Sequence, residues 1–143
     1  MHYKVEFELV SPEKILISEP VDMVVVPGGE GNFGVLAGHI PAIATVRSGV
    51  IEMHDDNMLY DRIFVDGGFA EVFTIGEETR CTVLVESAIK VEDLVLADIE
   101  KDLKNLKEDL EDAKEEGEKA LIEARLSVVR AKFVAATGEY PVI

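Results

Sequence analysis

One segment decides the fold of this chain: Gly28-Gly29-Glu30-Gly31-Asn32-Phe33-Gly34-Val35-Leu36-Ala37-Gly38-His39-Ile40-Pro41. It places five glycines, one histidine and one proline between two apolar runs. A backbone this rich in glycine turns tightly and lets a neighbouring chain approach closely. We therefore interpret the segment as a surface that docks on another molecule.

Part of this segment matches a nucleotide-binding motif. Residues 29–34 fit the dinucleotide fingerprint G-x-G-x-x-G, follow a strand-like run at 21–26, and are followed about 20 residues later by the acidic Glu52. The fingerprint also requires a helix that opens at its third glycine and receives the pyrophosphate. Gly38 and Pro41 interrupt the sequence before such a helix is complete. We therefore predict that the loop binds no nucleotide.

The size and composition are those of a globular protein. The 143 residues suit one domain, or a domain with a helical appendage, and 48% of them are hydrophobic. No apolar run approaches the roughly 20 residues of a membrane span, and the N-terminus resembles neither a signal nor a transit peptide. We expect the protein to stay in the compartment where it is made. The single cysteine, Cys81, is expected to be a small buried hydrophobe in a reducing interior.

The chain is strongly acidic, with a formal net charge of −15. A surface of this sign repels phosphate, so DNA and RNA are excluded as partners. The C-terminal segment departs from this trend, because after Glu118 four basic residues outnumber two acidic ones. The basic residues are Lys119, Arg125, Arg130 and Lys132.

The first part of the chain, up to Ala88, has the pattern of β-strands. Apolar and polar residues alternate over positions 3–9, which is typical of a strand with one buried face. Short apolar runs separated by turn residues follow at 14–18, 21–26, 42–46, 50–54, 59–65, 69–75 and 79–85. Strands at this spacing, without helical patterns between them, predict an antiparallel sandwich or flattened barrel. In this interpretation Glu19-Pro20 is a turn.

After the strands, the hydrophobic period changes to that of an α-helix. Apolar residues recur every three or four positions from Leu96 to Ala113, which predicts a helix with one narrow apolar stripe. Residues 115–118, Glu-Glu-Gly-Glu, are predicted to break it. We therefore divide the chain into a β domain at 1–88 and a helical hairpin at 89–143.

The second helix carries two apolar stripes. One consists of Leu121, Ala124, Val128, Ala131 and Ala135. The other consists of Ile122, Leu126, Val129, Phe133 and Ala136. Because the first helix covers only one stripe, either the β domain or a partner protein must cover the other. Gly138 and Pro141 are predicted to end the helix.

The sequence contains no catalytic or metal-binding arrangement. His2, His39 and His54 lack metal-ligand spacing, and no Cys-x-x-Cys motif accompanies them. We expect the His39 side chain to hydrogen-bond the turn backbone. Asp55-Asp56 before Asn57 predicts a solvated hairpin turn rather than a carboxylate pair. The G-x-S-x-G elbow and the Walker G-K-[ST] motif are absent, so we assign no catalytic residue, cofactor or metal.

Several ordered blocks of the sequence resemble one protein family. They are Phe7-Glu8-Leu9-Val10-Ser11-Pro12-Glu13, Pro27 to Pro41, Ser48-Gly49-Val50-Ile51, Val65-Asp66-Gly67-Gly68-Phe69-Ala70-Glu71-Val72 and Thr82-Val83-Leu84-Val85-Glu86-Ser87-Ala88. Together with the helical hairpin, they are similar to the epsilon subunit of the bacterial F-type rotary ATP synthase, the homologue of the mitochondrial delta subunit. The resemblance covers nearly the whole chain.

The resemblance implies an α+β fold, with an antiparallel ten-stranded β-sandwich before the helical hairpin. It also implies a non-catalytic rotor subunit that couples rotation of the c ring in a proton-translocating enzyme to the catalytic head. The sandwich would contact the c ring and the gamma subunit, and the residues implied in docking are Glu30, Gly31, Asn32, His39 and Pro41. Such a protein is peripheral to the cytoplasmic face of the bacterial plasma membrane.

A second state of the hairpin is also implied by the resemblance. In that state the helices open and rise along gamma toward the alpha and beta subunits, where they block ATP hydrolysis. The residues of the second helix that suit this role are Arg125, Val128, Arg130 and Lys132. The sequence leaves open whether this particular hairpin opens.

Two features depart from the family's pattern. Ala37 stands where many relatives have proline before the Gly-His pair, a change compatible with mitochondrial-type relatives. Some relatives bind ATP through a motif I/L-D-x-x-R-A, and the corresponding residues here are Leu94, Val95, Asp98 and Ile99. The acid, the arginine and the alanine are missing, so we expect no ATP-binding role.

Two other functions remain compatible with the sequence. One is a free-standing adaptor with a β-sandwich and a helical interaction arm. The other is a small enzyme that uses the glycine-rich loop, although no substrate is suggested. Co-purification with a large membrane-linked complex distinguishes a rotor subunit from an adaptor, and turnover assays address the enzyme.

Overall fold

A computed structural model describes residues 3–141, so His2 lies outside the described residues. Within this range the chain forms ten β-strands, a short 3₁₀ turn and two α-helices. The elements are β1 (Val5–Val10), β2 (Ile15–Val21), β3 (Met23–Gly28), β4 (Gly31–Leu36), β5 (Ala42–Val46), β6 (Gly49–Asp55), β7 (Met58–Val65), β8 (Gly68–Ile75), β9 (Glu78–Val85), β10 (Ala88–Lys90), the 3₁₀ turn (Val91–Asp93), α1 (Leu96–Asp112) and α2 (Glu116–Thr137). Backbone contacts divide the chain into one unit that ends at Lys90 and another that begins at Val91. The predicted boundary at 88/89 falls inside β10.

The strands form two layers of a β-sandwich. β4, β3, β6, β7 and β10 lie side by side in one layer, and β5, β8, β9, β1 and β2 lie side by side in the other. The pair Gly28 and Val46 joins β3 to β5, where one layer continues into the other. The α+β fold with a ten-stranded sandwich is confirmed.

One ladder departs from the antiparallel prediction, because β1 and β9 run parallel. The neighbouring strand pairs β1–β2 and β8–β9 are antiparallel. Two strands joined by a tight turn must run antiparallel, but β1 and β9 are separated by most of the sandwich sequence and are free of that constraint.

A single hydrophobic core fills the space between the layers. In β1, Val5, Phe7 and Leu9 are fully buried, while the residues between them are half-buried. Each such side chain contributes about 1.5–3 kcal/mol when it leaves water. Cys81 belongs to the same core, as predicted, and burial raises the pKa of its thiol to about 12. The thiol therefore stays protonated at neutral pH.

Two predictions about the strands were wrong. Glu19-Pro20 is no turn, because β2 continues through both residues to Val21. Proline is tolerated there because β2 is an edge strand with a ladder on one side only. The glycine-rich segment also contains a strand, β4, that the pattern did not show. Its ladder with β3 runs from the partners Gly28 and Gly31 to the partners Met23 and Leu36. No helix opens at Gly34, in agreement with the rejection of the dinucleotide motif.

α1 and α2 form the predicted helical hairpin. Ile99 and Leu103 of α1 pack in one cluster with Ile122, Leu126 and Val129 of α2. This cluster is the core of the second unit.

The ends of α2 test two further predictions. At its C-terminus, Gly138 adopts a left-handed φ of 79° and donates its N–H to the Val134 carbonyl, which confirms the predicted stop. At its N-terminus the predicted break is present but lies earlier than residues 115–118, because residues 113–115 separate the helices and Gly117 lies inside the first turn of α2.

Candidate docking surfaces

Residues 28–32 connect β3 to β4 in a tight turn, the glycine hairpin. A side chain at Gly28 would place its Cβ 2.6 Å from the carbonyl oxygen of Gly31. A side chain at Gly29 would overlap the hydroxyl of Thr45 on β5. Close packing within the turn therefore requires glycine at position 28, and close packing against β5 requires it at position 29.

Arg47, in the turn between β5 and β6, holds the glycine hairpin. Its Nη1 donates to the carbonyl of Gly28, and its Nη2 donates to Oδ1 of Asn32 at 2.6 Å. Its backbone N–H donates to the carbonyl of Pro27 at 2.9 Å. The exposed Glu30 lies between the two residues that the guanidinium binds.

Three more turns lie at the same end of the sandwich and are bonded to each other. The Ser48 hydroxyl donates to the Asp66 carbonyl at 2.7 Å, and the Ser87 N–H donates to Oδ1 of Asp66 at 3.1 Å. We call this end the Glu30 end. Its turn residues are 29–30, 47–48, 66–67 and 86–87. These bonds give the surface a defined shape.

The His39 turn, residues 37–41, lies at the opposite end of the sandwich. The Gly38 N–H donates to the buried hydroxyl of Thr79 at 2.7 Å, and the Thr74 hydroxyl donates to the His39 carbonyl at 2.9 Å. The Nδ1 of His39 lies 2.6 Å from the carbonyl oxygen of Ile40, so the side chain bonds the turn backbone as predicted.

β4 separates the two groups of predicted docking residues. Glu30, Gly31 and Asn32 lie at its beginning, and His39 and Pro41 follow its end. The strand has six residues, which at about 3.3 Å each span roughly 20 Å. The structure therefore does not bring the five residues together, and a single flat partner surface contacts one group only.

An apolar row crosses the outer face of the layer that contains β1. It consists of Phe69, Leu84, Val10 and Ile15, each opposite the next on neighbouring strands. Phe69 is 60% exposed, Ile15 58% and Leu84 46%, and Ile43 beside the row on β5 is 80% exposed. Soluble monomers rarely expose apolar side chains grouped in this way, so the row is a candidate contact surface.

Sequence reasoning missed this row, although a signal was present. A strand with one buried face carries polar residues at its outward positions. Phe69 next to buried Ala70, and Leu84 between buried Val83 and Val85, break that alternation. A continuous apolar run in a strand that packs on the core with one face only indicates that its outer face is also covered.

The two stripes of α2 have different surroundings. Ile122, Leu126 and Val129 are buried in the helical core, whereas Leu121 in the other stripe is 54% exposed. The hydrophobic cluster shared with α1 contains residues of the Ile122 stripe and none of the Leu121 stripe, in agreement with the prediction. The residues assigned to a regulatory role lie outside this core: Arg125 and Arg130 are exposed, and Val128 and Lys132 are half-buried.

A charged network surrounds the turn between β6 and β7. Nζ of Lys4 lies 2.7 Å from Oδ1 of Asp55 and 3.8 Å from Oδ1 of Asp22, and the hydrogen bond to Asp55 raises the pKa of Lys4. The turn residues Asp56 and Asn57 have positive φ values of 52° and 62°, as a tight hairpin turn requires. The predicted solvated turn is confirmed.

The described residues, 3–141, were considered for a metal site, a reactive acid–base group and a membrane-spanning helix. Over that range, no group of three or more His, Cys, Asp and Glu side chains is arranged to hold a metal ion. The pKa of Tyr60 is raised by burial and by its hydrogen bond to Glu19, which places the phenol outside the range useful for acid–base chemistry. Neither described helix is long and apolar enough to cross a membrane.

Two family models match the chain in order. The β-sandwich domain of the ATP synthase delta/epsilon chain matches residues 4–91, and the C-terminal domain of the ATP synthase epsilon chain matches residues 96–139. This chain belongs to the ATP synthase epsilon chain family. The predicted family and the prediction of a non-catalytic ATP synthase subunit are therefore confirmed, and the free-standing adaptor is not retained.

Individual relatives agree with the family. The ATP synthase epsilon chain of Rhodospirillum centenum is 55% identical, over 72% of this chain and 71% of the relative. That of Paramagnetospirillum magneticum is 57% identical, over 66% of this chain and 68% of the relative.

Solved structures share the fold at low identity. A chain in the Euglena gracilis mitochondrial ATP synthase, in a structure of OSCP, F1 and c-ring, is similar with a TM-score of 0.78 and 22% identity, over 90% of this chain and 78% of that chain. A chain in the central stalk and c-ring of the Tetrahymena thermophila mitochondrial ATP synthase has a TM-score of 0.65 and 15% identity, over 94% of this chain and 97% of that chain.

Proposed function

We propose that this chain is the central-stalk subunit of a proton-translocating rotary ATP synthase and couples rotation of the c ring to the catalytic head. The observation that supports this most is that one sandwich carries two contact surfaces that face different ways, the turns of the Glu30 end and the apolar row on the outer face of one layer. A subunit that transmits rotation must hold two partners at once. The two chains with similar folds come from structures that include a c-ring, and the Tetrahymena thermophila structure also includes the central stalk.

The Glu30 end is the proposed c-ring contact. Its tip carries Glu30 and Asn32, which supply polar groups, and Gly31, which lets a partner backbone approach. The hydrogen bonds from Arg47 and between the adjoining turns fix the surface before it docks. A preformed surface loses less conformational entropy on binding.

The apolar row is the proposed gamma contact. Phe69, Leu84 and Ile15 present apolar area that a protein partner would remove from water. The His39 turn extends this surface, because exposed Ile40, 75% accessible, and Pro41 lead directly into β5 and its exposed Ile43. We therefore assign His39 and Pro41 to the gamma side.

The helical hairpin is the proposed brake on ATP hydrolysis. In its extended state, α2 would bring Arg125, Arg130 and Lys132 to acidic segments of the alpha and beta subunits. The apolar stripe beside them, which includes exposed Leu121 and half-buried Val128, would supply apolar contact. The subunit would reach the cytoplasmic face of the bacterial plasma membrane only through the complex, as a peripheral protein.

The ring contact is tested by charge reversal at the Glu30 tip. We expect Glu30→Lys to lower subunit retention on membranes stripped of this subunit, and to lower ATP-driven proton pumping with it. Glu77→Lys is the matched control, because it reverses an exposed glutamate in the β8–β9 turn at the other end of the sandwich. A bulky residue at Gly31 also obstructs docking, but its φ of 138° strains any side chain. Equal retention of wild type and Glu30→Lys would contradict the ring contact.

A further inference from the structure

The glycine hairpin has few connections to the opposite layer. Among the described residues, β3 and β5 share one strand pair, Gly28 with Val46. Four hydrogen bonds join the hairpin to residues 45–47, and the two between backbone groups are those of this pair. They run from the Gly29 N–H to the Thr45 carbonyl at 2.8 Å, from the Arg47 N–H to the Pro27 carbonyl at 2.9 Å, from Arg47 Nη1 to the Gly28 carbonyl, and from Arg47 Nη2 to Asn32 Oδ1 at 2.6 Å. One side chain therefore makes half of these bonds.

The guanidinium binds both strands of the hairpin. Gly28 ends β3 and Asn32 lies in β4, so the two bonds fix the positions on either side of Glu30. Arginine presents its donors in a rigid planar fork, and hydrogen bonds from a charged donor are stronger than neutral ones. The tip between them contains Gly29 and Gly31, whose backbones are intrinsically free to adopt many conformations.

We propose that Arg47 is a positioning residue for the c-ring contact: it fixes the direction of Glu30 and Asn32 before docking. The inference rests on the ring contact proposed above. We call the two guanidinium hydrogen bonds, to Gly28 and Asn32, the clamp. Without the clamp, the strand ladder still closes the hairpin, but the tip must become ordered when the ring binds. That ordering cost weakens docking without unfolding the sandwich.

The test uses Arg47→Met in the full-length subunit. We expect faster amide exchange at residues 28–32, a midpoint of thermal unfolding close to that of wild type, and roughly tenfold weaker binding to membranes stripped of the subunit, about the effect of one lost charged hydrogen bond. Arg47→Lys keeps the charge but lacks the fork, so it should restore binding only in part. The matched control is Arg62→Met, which removes an exposed positive charge from β7.

Each outcome decides the proposal. Unchanged exchange at residues 28–32 in Arg47→Met would overturn it, as would binding equal to wild type. If Arg47→Met does not fold, Asn32→Ala removes one acceptor of the clamp and is expected to speed exchange at residues 28–32, and unchanged exchange would overturn the proposal. Equal loss of binding in Arg62→Met would assign the effect to charge alone and also overturn it.

Glu30→Lys separates this proposal from the ring contact. If Glu30→Lys weakens membrane binding while Arg47→Met does not, the ring contact stands and the positioning role fails. If neither variant weakens binding although Arg47→Met speeds hairpin exchange, the ring contact itself fails. Loss in both, with faster exchange in Arg47→Met alone, supports the proposal.

Discussion

Replacing Leu126 with alanine tests which stripe of α2 holds the helical hairpin together. Leu126 is 1% exposed and lies in the cluster with Ile99 and Leu103 of α1, whereas Leu121 in the other stripe is 54% exposed. Truncating a buried leucine removes its transfer free energy and leaves a cavity, at a cost of about 2–5 kcal/mol. We expect Leu126→Ala to destabilise the hairpin by that amount. Leu121→Ala should change its stability by no more than about 0.5 kcal/mol.

Amide hydrogen exchange measures this difference separately for each unit. A loss of about 2 kcal/mol raises the open population roughly 30-fold, so the amides of α1 and α2 should exchange at least that much faster in Leu126→Ala. Amides of the sandwich core, such as those of β1, serve as the internal control. Equal acceleration in Leu121→Ala and Leu126→Ala would refute the assignment of one covered and one surplus stripe.

Three further predictions concern the hairpin, nucleotide and Cys81. Truncation after Lys90 keeps β10 and removes both helices, so ATP hydrolysis by the non-energised enzyme should rise severalfold while coupling is retained; an unchanged rate would rule out the brake. The isolated subunit should bind ATP weakly or not at all, because Val95 and Asp98 replace the acid and the arginine of the ATP-binding motif expected in some relatives; micromolar affinity by calorimetry would contradict this. Burial raises the pKa of Cys81 from 9.0 to about 12, so the unfolded thiol ionises first and its contribution to stability is lost as pH rises through that window. Cys81→Ala should remove this component from a denaturation-versus-pH profile, and identical slopes would refute it.

The sequence predicted the strands and helices that bury one face, because that face appears as a regular spacing of apolar residues. The alternation of Val5, Phe7 and Leu9 showed β1, and the change to a spacing of three or four showed α1. Gly138 marked the end of α2 because the cap requires a left-handed backbone conformation, which glycine adopts without strain. These signals are local, so a single sequence contains them.

The remaining features depend on pairing and topology. β4 was hidden because Gly31 and Gly34 have low strand propensity, and its pairing with β3 overrides that preference. The same strand explains why Glu30 and His39, nine positions apart in sequence, lie at opposite ends of the sandwich. Pro20 suggested a turn because proline is excluded from central strands, but β2 is an edge.

Disulfide cross-linking in the assembled enzyme tests the central claim most directly. Single cysteines are introduced as Glu30→Cys at the Glu30 end, Phe69→Cys in the apolar row and Arg62→Cys as a control on β7. The buried, protonated Cys81 does not compete. With partner cysteines scanned across gamma and the c subunit, we expect Glu30→Cys to join the c subunit, Phe69→Cys to join gamma, and Arg62→Cys to join neither. A Glu30→Cys subunit that joins no c-subunit position, together with a Phe69→Cys subunit that joins no gamma position, would contradict the account.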